Sequence, residues 1–416
     1  VDYQPRLLDG ELMDRLRATG AAVIQGPKGC GKTETARQHT RSEITLDDSE
    51  IMRLRLELNP VSILDGDLPR LIDEWQEQPR IWNLIRHKID ERKTPGQYVL
   101  TGSSVPSDDV SRHSGAARFS FLKMRPMTLF ETSHSSGEIS LQDLLTGKKV
   151  SGAQSLLSIP ELAKQIVVGG WPAHLGKDGK SGAIAAREYI QQIYEIDGPR
   201  TSSFVRDPRL FERVLISLAR NTSTEVTNEK IVSETTSDDN PVNRKSVLDV
   251  IASLERILII EDLPIWFTHL RSRAILRKSS KRHFVDPSLA LAALGGSAKR
   301  LLDDLEFFSL IFESLVIRDL RVYAQTIDAD VFHYRDNSGL EVDAIVQMKD
   351  GTWGAFEVKL GSSGIDQGAR NLLKLANEVD DKKVGKPAVL AVITASDIGG
   401  IRKDGVAVVP IGSLGP

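Results

Sequence analysis

Eight consecutive residues, Gly26-Pro27-Lys28-Gly29-Cys30-Gly31-Lys32-Thr33, constrain this chain more than any other feature. The short apolar run Ala21-Ala22-Val23-Ile24-Gln25 precedes them, and Glu34-Thr35-Ala36-Arg37-Gln38 follows with the look of a helix. A buried parallel strand suits the first segment. Strand, glycine-rich loop and helix, in that order, are the context in which G-x-x-x-x-G-K-[ST] binds a nucleoside triphosphate. Glycines at 26, 29 and 31 let backbone N–H groups curl around phosphates without Cβ clashes. Lys32 is predicted to reach the β- and γ-phosphates and Thr33 to place its hydroxyl on Mg²⁺. The helix N-terminus adds its positive dipole end. The expected ligands of Gly26–Thr33 are therefore ATP and Mg²⁺; a bare glycine-rich turn would leave the full match unexplained.

Such a loop needs a second strand that brings a carboxylate to the metal. Asp65-Gly66-Asp67-Leu68-Pro69-Arg70 leads into Leu71-Ile72-Asp73-Glu74-Trp75. Asp73 is the candidate Mg²⁺ residue, in most cases acting through water, and Glu74 the candidate that polarises the attacking water. Pro69 and Arg70 interrupt the apolar run, so the two acids also read as a turn opening a helix. Pro79 to Arg92 has helical spacing with a solvated charged face. Gln97 to Ser103 reads as another buried strand, ending in Ser103 as candidate γ-phosphate sensor with Thr101 in reserve; a plain turn residue is the alternative. Arg112 and Arg118 are candidates for an arginine near the γ-phosphate, in cis or from a neighbouring subunit, and equally for ordinary surface residues.

With 416 residues the chain is too long for one ordinary core, so two or three domains are expected. A formal net charge of -3 gives no global basic signal, and any nucleic-acid contact must come from a local patch. The single cysteine excludes an intramolecular disulfide framework and fits a reducing cytoplasm. No apolar run approaches the ~20 residues of a membrane helix, so a soluble cytoplasmic protein is expected, with a homo-oligomer left open.

Further elements join the loop and the acid pair: Tyr3-Gln4-Pro5-Arg6-Leu7, Leu100-Thr101-Gly102-Ser103, Gly115 to Arg118, Arg125-Pro126-Met127 with Glu131, and Gly169-Gly170-Trp171-Pro172. Together they resemble prokaryotic ATPases that join an AAA-like P-loop domain to a domain of unknown function called DUF4143, over nearly the whole chain. The resemblance implies an AAA+-type ATP site, a winged-helix-like middle and a C-terminal region similar to PD-(D/E)XK nucleases. It supplies no substrate. Gly29 departs from relatives that carry an aromatic residue there, which alters packing over the loop rather than phosphate binding.

Leu145 to Gly182 is rich in Gly, Ser and Lys, and the first domain is expected to end there, near residue 150. Glu188–Ile196, Leu210–Arg220, Thr227–Glu234 and Asn243–Leu258 are helical by period, and a strand-like Ile259–Leu263 follows. Three helices and then a hairpin is the order of a winged helix-turn-helix. Beyond lies the most basic stretch, with Arg271, Arg273, Arg277, Lys278, Lys281, Arg282 and His283 and no acid until Asp286. It suits phosphate contacts with nucleic acid, DNA first; a protein-binding wing or a solvated charge run are the alternatives.

In the last third, Val331–Tyr334, Leu340–Val346 and Trp353–Leu360 read as strands, the first two joined by a turn at Asp336-Asn337-Ser338-Gly339. Period-2 alternation sends Glu357 and Lys359 to one face of their strand, and Glu341 and Asp343 to one face of theirs. An Asp on one strand with Glu-x-Lys on the next is the pattern of PD-(D/E)XK nucleases. Asp343 and Glu357 would bind Mg²⁺, Lys359 would orient water, and Glu313 on the preceding helix would complete the acidic set. The leading Pro-Asp is absent: Val342-Asp343 stands there. A solvated hairpin face, or a nuclease-like fold that binds without cleaving, are the alternatives.

The expected architecture is α/β: an AAA+-type P-loop parallel-sheet domain (1–150), a helical winged-helix middle (151–300) and a restriction-endonuclease-like domain (301–416). Two functions follow, an ATPase that drives a metal-dependent nuclease or an ATPase switch that controls binding.

Overall fold

Ala21–Gln25, apolar and short, becomes the inner strand of a five-stranded parallel sheet in the computed structural model, which describes residues 3–47, 49–103, 115–148, 152–236, 241–267 and 280–416. The chain forms two compact units, the first being residues 1–126 with 171–173 and 256–258. Its elements are α1 (Leu8–Ala18), β1 (Ala21–Gln25), α2 (Lys32–Gln38), β2 (Ser42–Thr45), α3 (Glu50–Leu58), β3 (Arg70–Asp73), α4 (Ile81–Arg92), β4 (Tyr98–Gly102) and β5 (Phe119–Lys123). The strands lie in the order β2-β3-β4-β1-β5. Residues on β1, β3 and β4 are almost entirely buried, as strands covered on both faces must be. Parallel register aligns Asp73 with Thr101, and Gln25 with Gly102, at the carboxyl edge. That edge is where an open α/β sheet binds its ligand.

The second unit holds residues 127–170, 174–255 and 259–416. It opens with β6 (Ile139–Ser140) and α5 (Leu141–Leu145) and continues with α6 (Ile159–Val168), α7 (Gly179–Gln192), α8 (Gly198–Thr201), α9 (Pro208–Arg220), α10 (Asn228–Thr235) and α11 (Arg244–Arg256). After it come α12 (Pro287–Ala293), α13 (Ala298–Asp303), α14 (Leu305–Thr326), β7 (Ala329–Arg335), β8 (Glu341–Met348), β9 (Trp353–Lys359), α15 (Ile365–Glu378), α16 (Asp381–Val384), β10 (Val389–Thr394), β11 (Gly400–Ile401), β12 (Ala407–Pro410) and β13 (Leu414–Gly415). Six of these strands form one mixed sheet in the order β11-β12-β10-β9-β8-β7. β7, β8 and β9 run antiparallel in sequence, whereas β10 pairs parallel to β9 after the α15 crossover.

Residues 127–148, assigned to the P-loop domain by composition, pack with this second unit. The cause is long-range bonding: Met127 N–H donates to the Gly170 carbonyl at 2.6 Å and Leu129 N–H to Asp319 Oδ2 at 3.1 Å. The strand expected at Ile259–Leu263 forms only isolated antiparallel bridges, Ile260 with Phe284 and Leu263 with Lys281. No helix among the described residues is long and apolar enough to cross a membrane.

Candidate functional site

Two clusters of functional side chains emerge, one in each unit. In the first, Gly29 and Gly31 take φ of 73° and 105°, a left-handed backbone that a Cβ would strain. Gly26 is fixed for another reason, since a Cβ there would run into the Met124 carbonyl oxygen. α2 starts at Lys32, whose buried ammonium donates to the Gly26 and Pro27 carbonyls at 2.9 Å each. Thr33 Oγ1 donates to both Asp73 carboxylate oxygens, at 3.0 and 3.2 Å. Thr101 Oγ1 donates to Asp73 Oδ1 as well. A hydroxyl and a carboxylate meeting beside a phosphate loop form an oxygen donor set that suits Mg²⁺, and Thr33 and Asp73 are the residues that would hold it.

Glu74, next after Asp73, has φ of 54° and leaves the strand in a left-handed turn. Gln76 donates to its Oε2, and Ser103 Oγ lies 3.5 Å from the same oxygen. Ser103 thus sits beside the candidate base, and Thr101 beside the candidate metal carboxylate. Lys28 is exposed on the loop, whereas Cys30 is fully buried beneath it.

Arg118 does not join them. It precedes β5 at the amino edge of the sheet, its carbonyl accepting from Ala21 N–H and its Nε bonded to Asp90 Oδ1 at 2.8 Å. Five residues of β1 separate that edge from the loop, roughly 16 Å at the rise of a strand. That separation removes Arg118 as an arginine acting in cis. Arg112 lies outside the described residues. One contributor drew no functional role from the sequence: Arg6, buried, donates to the Cys30 carbonyl at 2.7 Å and the Arg125 carbonyl at 2.8 Å. It braces the loop from behind. Its only sequence signal was membership of the N-terminal Tyr3–Leu7 element.

In the second unit, α14, β8 and β9 bring together Glu313, Asp343, Glu357 and Lys359. Lys359 Nζ lies 2.5 Å from Glu357 Oε2 and 3.6 Å from Asp343 Oδ2. Val358 N–H donates to Asp343 Oδ2 at 2.9 Å, and Asn371 on α15 donates to Glu357 Oε1 at 3.2 Å. Lys281 completes the cluster. Its ammonium is 2.8 Å from Glu313 Oε1 and 3.3 Å from Asp343 Oδ1, with the side chain only 6% exposed.

The electrostatics follow from burial and these charges. Burial pushes Glu313 up to about 7, against the pull of Lys281. Burial and then the charge of Asp343 push Glu357 up to about 7. Asp343 is also penalised by burial, but Lys281 and Lys359 outweigh it and hold this carboxyl below its ordinary value. Burial opposes the Lys281 ammonium, yet Glu313 and Asp343 prevail and its pKa rises.

Sequence reading put Lys281 and His283 in a basic wing facing phosphate. Both are buried, at 5% and 2% exposure, so neither presents charge to a nucleic acid. Arg282, half-buried, donates to Asn228 Oδ1 at 2.7 Å. Arg271, Arg273, Arg277 and Lys278 lie outside the described residues. Among the described residues no three His, Cys, Asp or Glu side chains form a group able to hold a metal ion. At this cluster the reason is visible, because the Lys281 ammonium stands between the carboxylates of Glu313 and Asp343. The expected Mg²⁺ site of Glu313, Asp343 and Glu357 does not fit the arrangement.

Three family models match successive stretches of the chain. An AAA domain matches residues 18–133, a domain of unknown function, DUF8612, matches 159–300, and a second, DUF4143, matches 308–414. The chain thus carries an AAA domain and a DUF4143 domain, and the AAA domain supports ATP binding and hydrolysis. No curated protein matches. A Walker-type ATPase of Pyrococcus abyssi is similar to 70% of this chain over 96% of its own, at 14% identity and a TM-score of 0.45.

Proposed function

We propose that this chain hydrolyses ATP with Mg²⁺ at the P-loop, and that its nucleotide state regulates what the second unit binds. The observation that carries the proposal is the meeting of Thr33 with Asp73 beside the buried Lys32. Lys32 exchanges two carbonyl partners for phosphate oxygens when ATP binds, so its charge is positioned before the ligand arrives. Mg²⁺, when bound by Thr33 and Asp73, neutralises charge on the phosphates. Glu74 orients and polarises the water that attacks the γ-phosphorus, with Ser103 and Gln76 holding its carboxylate. The test is steady-state turnover: Lys32→Ala abolishes it, and normal hydrolysis by that variant overturns the assignment.

A second reading, metal-dependent cleavage of nucleic acid, draws on the convergence of Asp343, Glu357, Lys359 and Glu313 on an α-β-β-β-α-β framework that resembles PD-(D/E)XK nucleases. Lys281 has no counterpart in that pattern and weighs against it. The winged-helix reading draws on α9, α10 and α11 followed by the paired segments at Leu263 and Lys281. Labelled single- and double-stranded DNA and RNA, incubated with Mg²⁺ or Mn²⁺ with and without ATP, separate the readings. The regulatory reading expects nucleotide-dependent binding without cleavage; cleavage that Asp343→Ala removes would replace it.

A further inference from the structure

Three carboxylates share one buried pocket, and such a group needs cations to persist at neutral pH. In a nuclease-like site the cation is a divalent metal. Here a second lysine supplies it. We propose that Lys281 is a built-in cation: its ammonium fills the position between Glu313 and Asp343, and the folded chain takes no divalent metal there.

Three observations support this. The Lys281 ammonium meets both carboxylates at hydrogen-bonding distance while its side chain is almost wholly buried. Its backbone is pinned in both directions to Leu263: Lys281 N–H donates to the Leu263 carbonyl at 3.0 Å, and Leu263 N–H donates to the Lys281 carbonyl at 2.7 Å. Lys359, the lysine of the Glu-x-Lys pattern, is already engaged with Glu357 and Asp343, so Lys281 is an additional charge and not a substitute for it.

A tethered ammonium has an energetic advantage over a free ion. Its effective concentration is set by the chain, so it does not dissociate. An entering metal would have to break two buried charge-assisted bonds and leave Lys281 buried without its partners, which costs more than the exposed equivalent. The inference deepens the regulatory reading of the second unit and is independent of ATP hydrolysis. Turnover, measured in parallel, therefore distinguishes failure of one from failure of the other.

The experiment uses the full chain, stripped with chelator and free of nucleotide. Bound Mn²⁺ is counted by electron paramagnetic resonance for wild type, Asp343→Asn, Lys281→Ala and the double variant. Wild type and Asp343→Asn are expected to bind the same number of ions, whereas Lys281→Ala gains one more that Asp343→Asn abolishes. Mn²⁺ should raise the melting temperature of Lys281→Ala and leave that of wild type unchanged. Butylammonium, which restores the missing charge, should compete with Mn²⁺ for the new site. If Lys281→Ala folds only when Mn²⁺ or butylammonium is present, the cation is required and the proposal holds. An Asp343-dependent Mn²⁺ ion on wild type overturns it. So does a Lys281→Ala chain that folds without gaining a site, or one that neither cation rescues.

Discussion

Asp73 accepts from two hydroxyls at once, Thr33 on the phosphate loop and Thr101 on β4. Thr33 and Thr101 both donate to Asp73 Oδ1, so in the proposed mechanism the carboxylate that would hold Mg²⁺ is oriented before nucleotide arrives. Thr101→Val keeps the shape and removes one bond. We expect kcat to fall about tenfold, the equivalent of one lost hydrogen bond at roughly 1.4 kcal/mol, with the ATP Kd nearly unchanged. An equal loss in affinity would mean that Thr101 only supports the fold. Glu313 allows a second measurement. Burial holds its carboxyl at about 7, against about 4.3 in an unfolded chain. The folded chain binds this proton more tightly, so the stability it contributes is complete below about pH 4.3 and lost as pH rises through about 7. The urea midpoint of Glu313→Gln should therefore decline less over that interval than wild type; parallel declines would show that Glu313 titrates normally. At this scale the sequence was informative wherever a motif fixes spacing, as with Lys32, Thr33 and the Glu357-x-Lys359 pair, and less so at Asp73, where Pro69 and Arg70 interrupt the run. Lys281 escaped because a run of basic residues says nothing about which of them turns inward.

Among the elements, α14 carries the most unusual composition. Its 22 residues bury Glu313, Arg318, Asp319 and Arg321 together with a row of aliphatic and aromatic side chains. Arg318 lies between Asp286 at 2.8 Å and Asp319 at 2.7 Å. Those two carboxylates also accept from the backbone of Gly170 and Leu129, so one guanidinium organises three distant segments of the second unit. Arg318→Met strands two buried carboxylates and should destabilise the chain by roughly 3–5 kcal/mol. Urea unfolding followed by circular dichroism measures it, and a change below about 1 kcal/mol would mean that the pair is solvated. The sequence reading placed Glu313 on a helix without giving the helix its full extent, Leu305–Thr326. A helix buried nearly all round loses the polar stripe by which its ends are recognised. Ile259–Leu263 was legible as extended chain, but not as isolated bridges to Lys281 and Phe284 too short to make a strand.

At the scale of the whole molecule, the Gly-, Ser- and Lys-rich stretch after Leu145 places the end of the first domain near residue 150, whereas the longest segment of the first compact unit runs only to Pro126. What draws residues 127–148 into the second unit is hydrogen bonding across long sequence separation, and a local window contains no trace of that. Trp171–Ala173, by contrast, group with the first unit although Gly170 and His174 on either side belong to the second. The α/β character and the parallel P-loop sheet were readable because hydrophobic pattern and motif agreed over the same residues.

Cys30 is the only thiol in the chain, and it is sealed inside the phosphate loop with its sulfur 3.8 Å from the Met124 carbonyl. Its chemistry makes it a clock. A disulfide reagent can reach it only during excursions in which the loop opens, so the labelling rate reports the free energy of that opening. Native chain should react orders of magnitude more slowly than chain in urea, and Mg-ATP should slow it further. A rate equal to that of denatured chain would mean that the loop stands open.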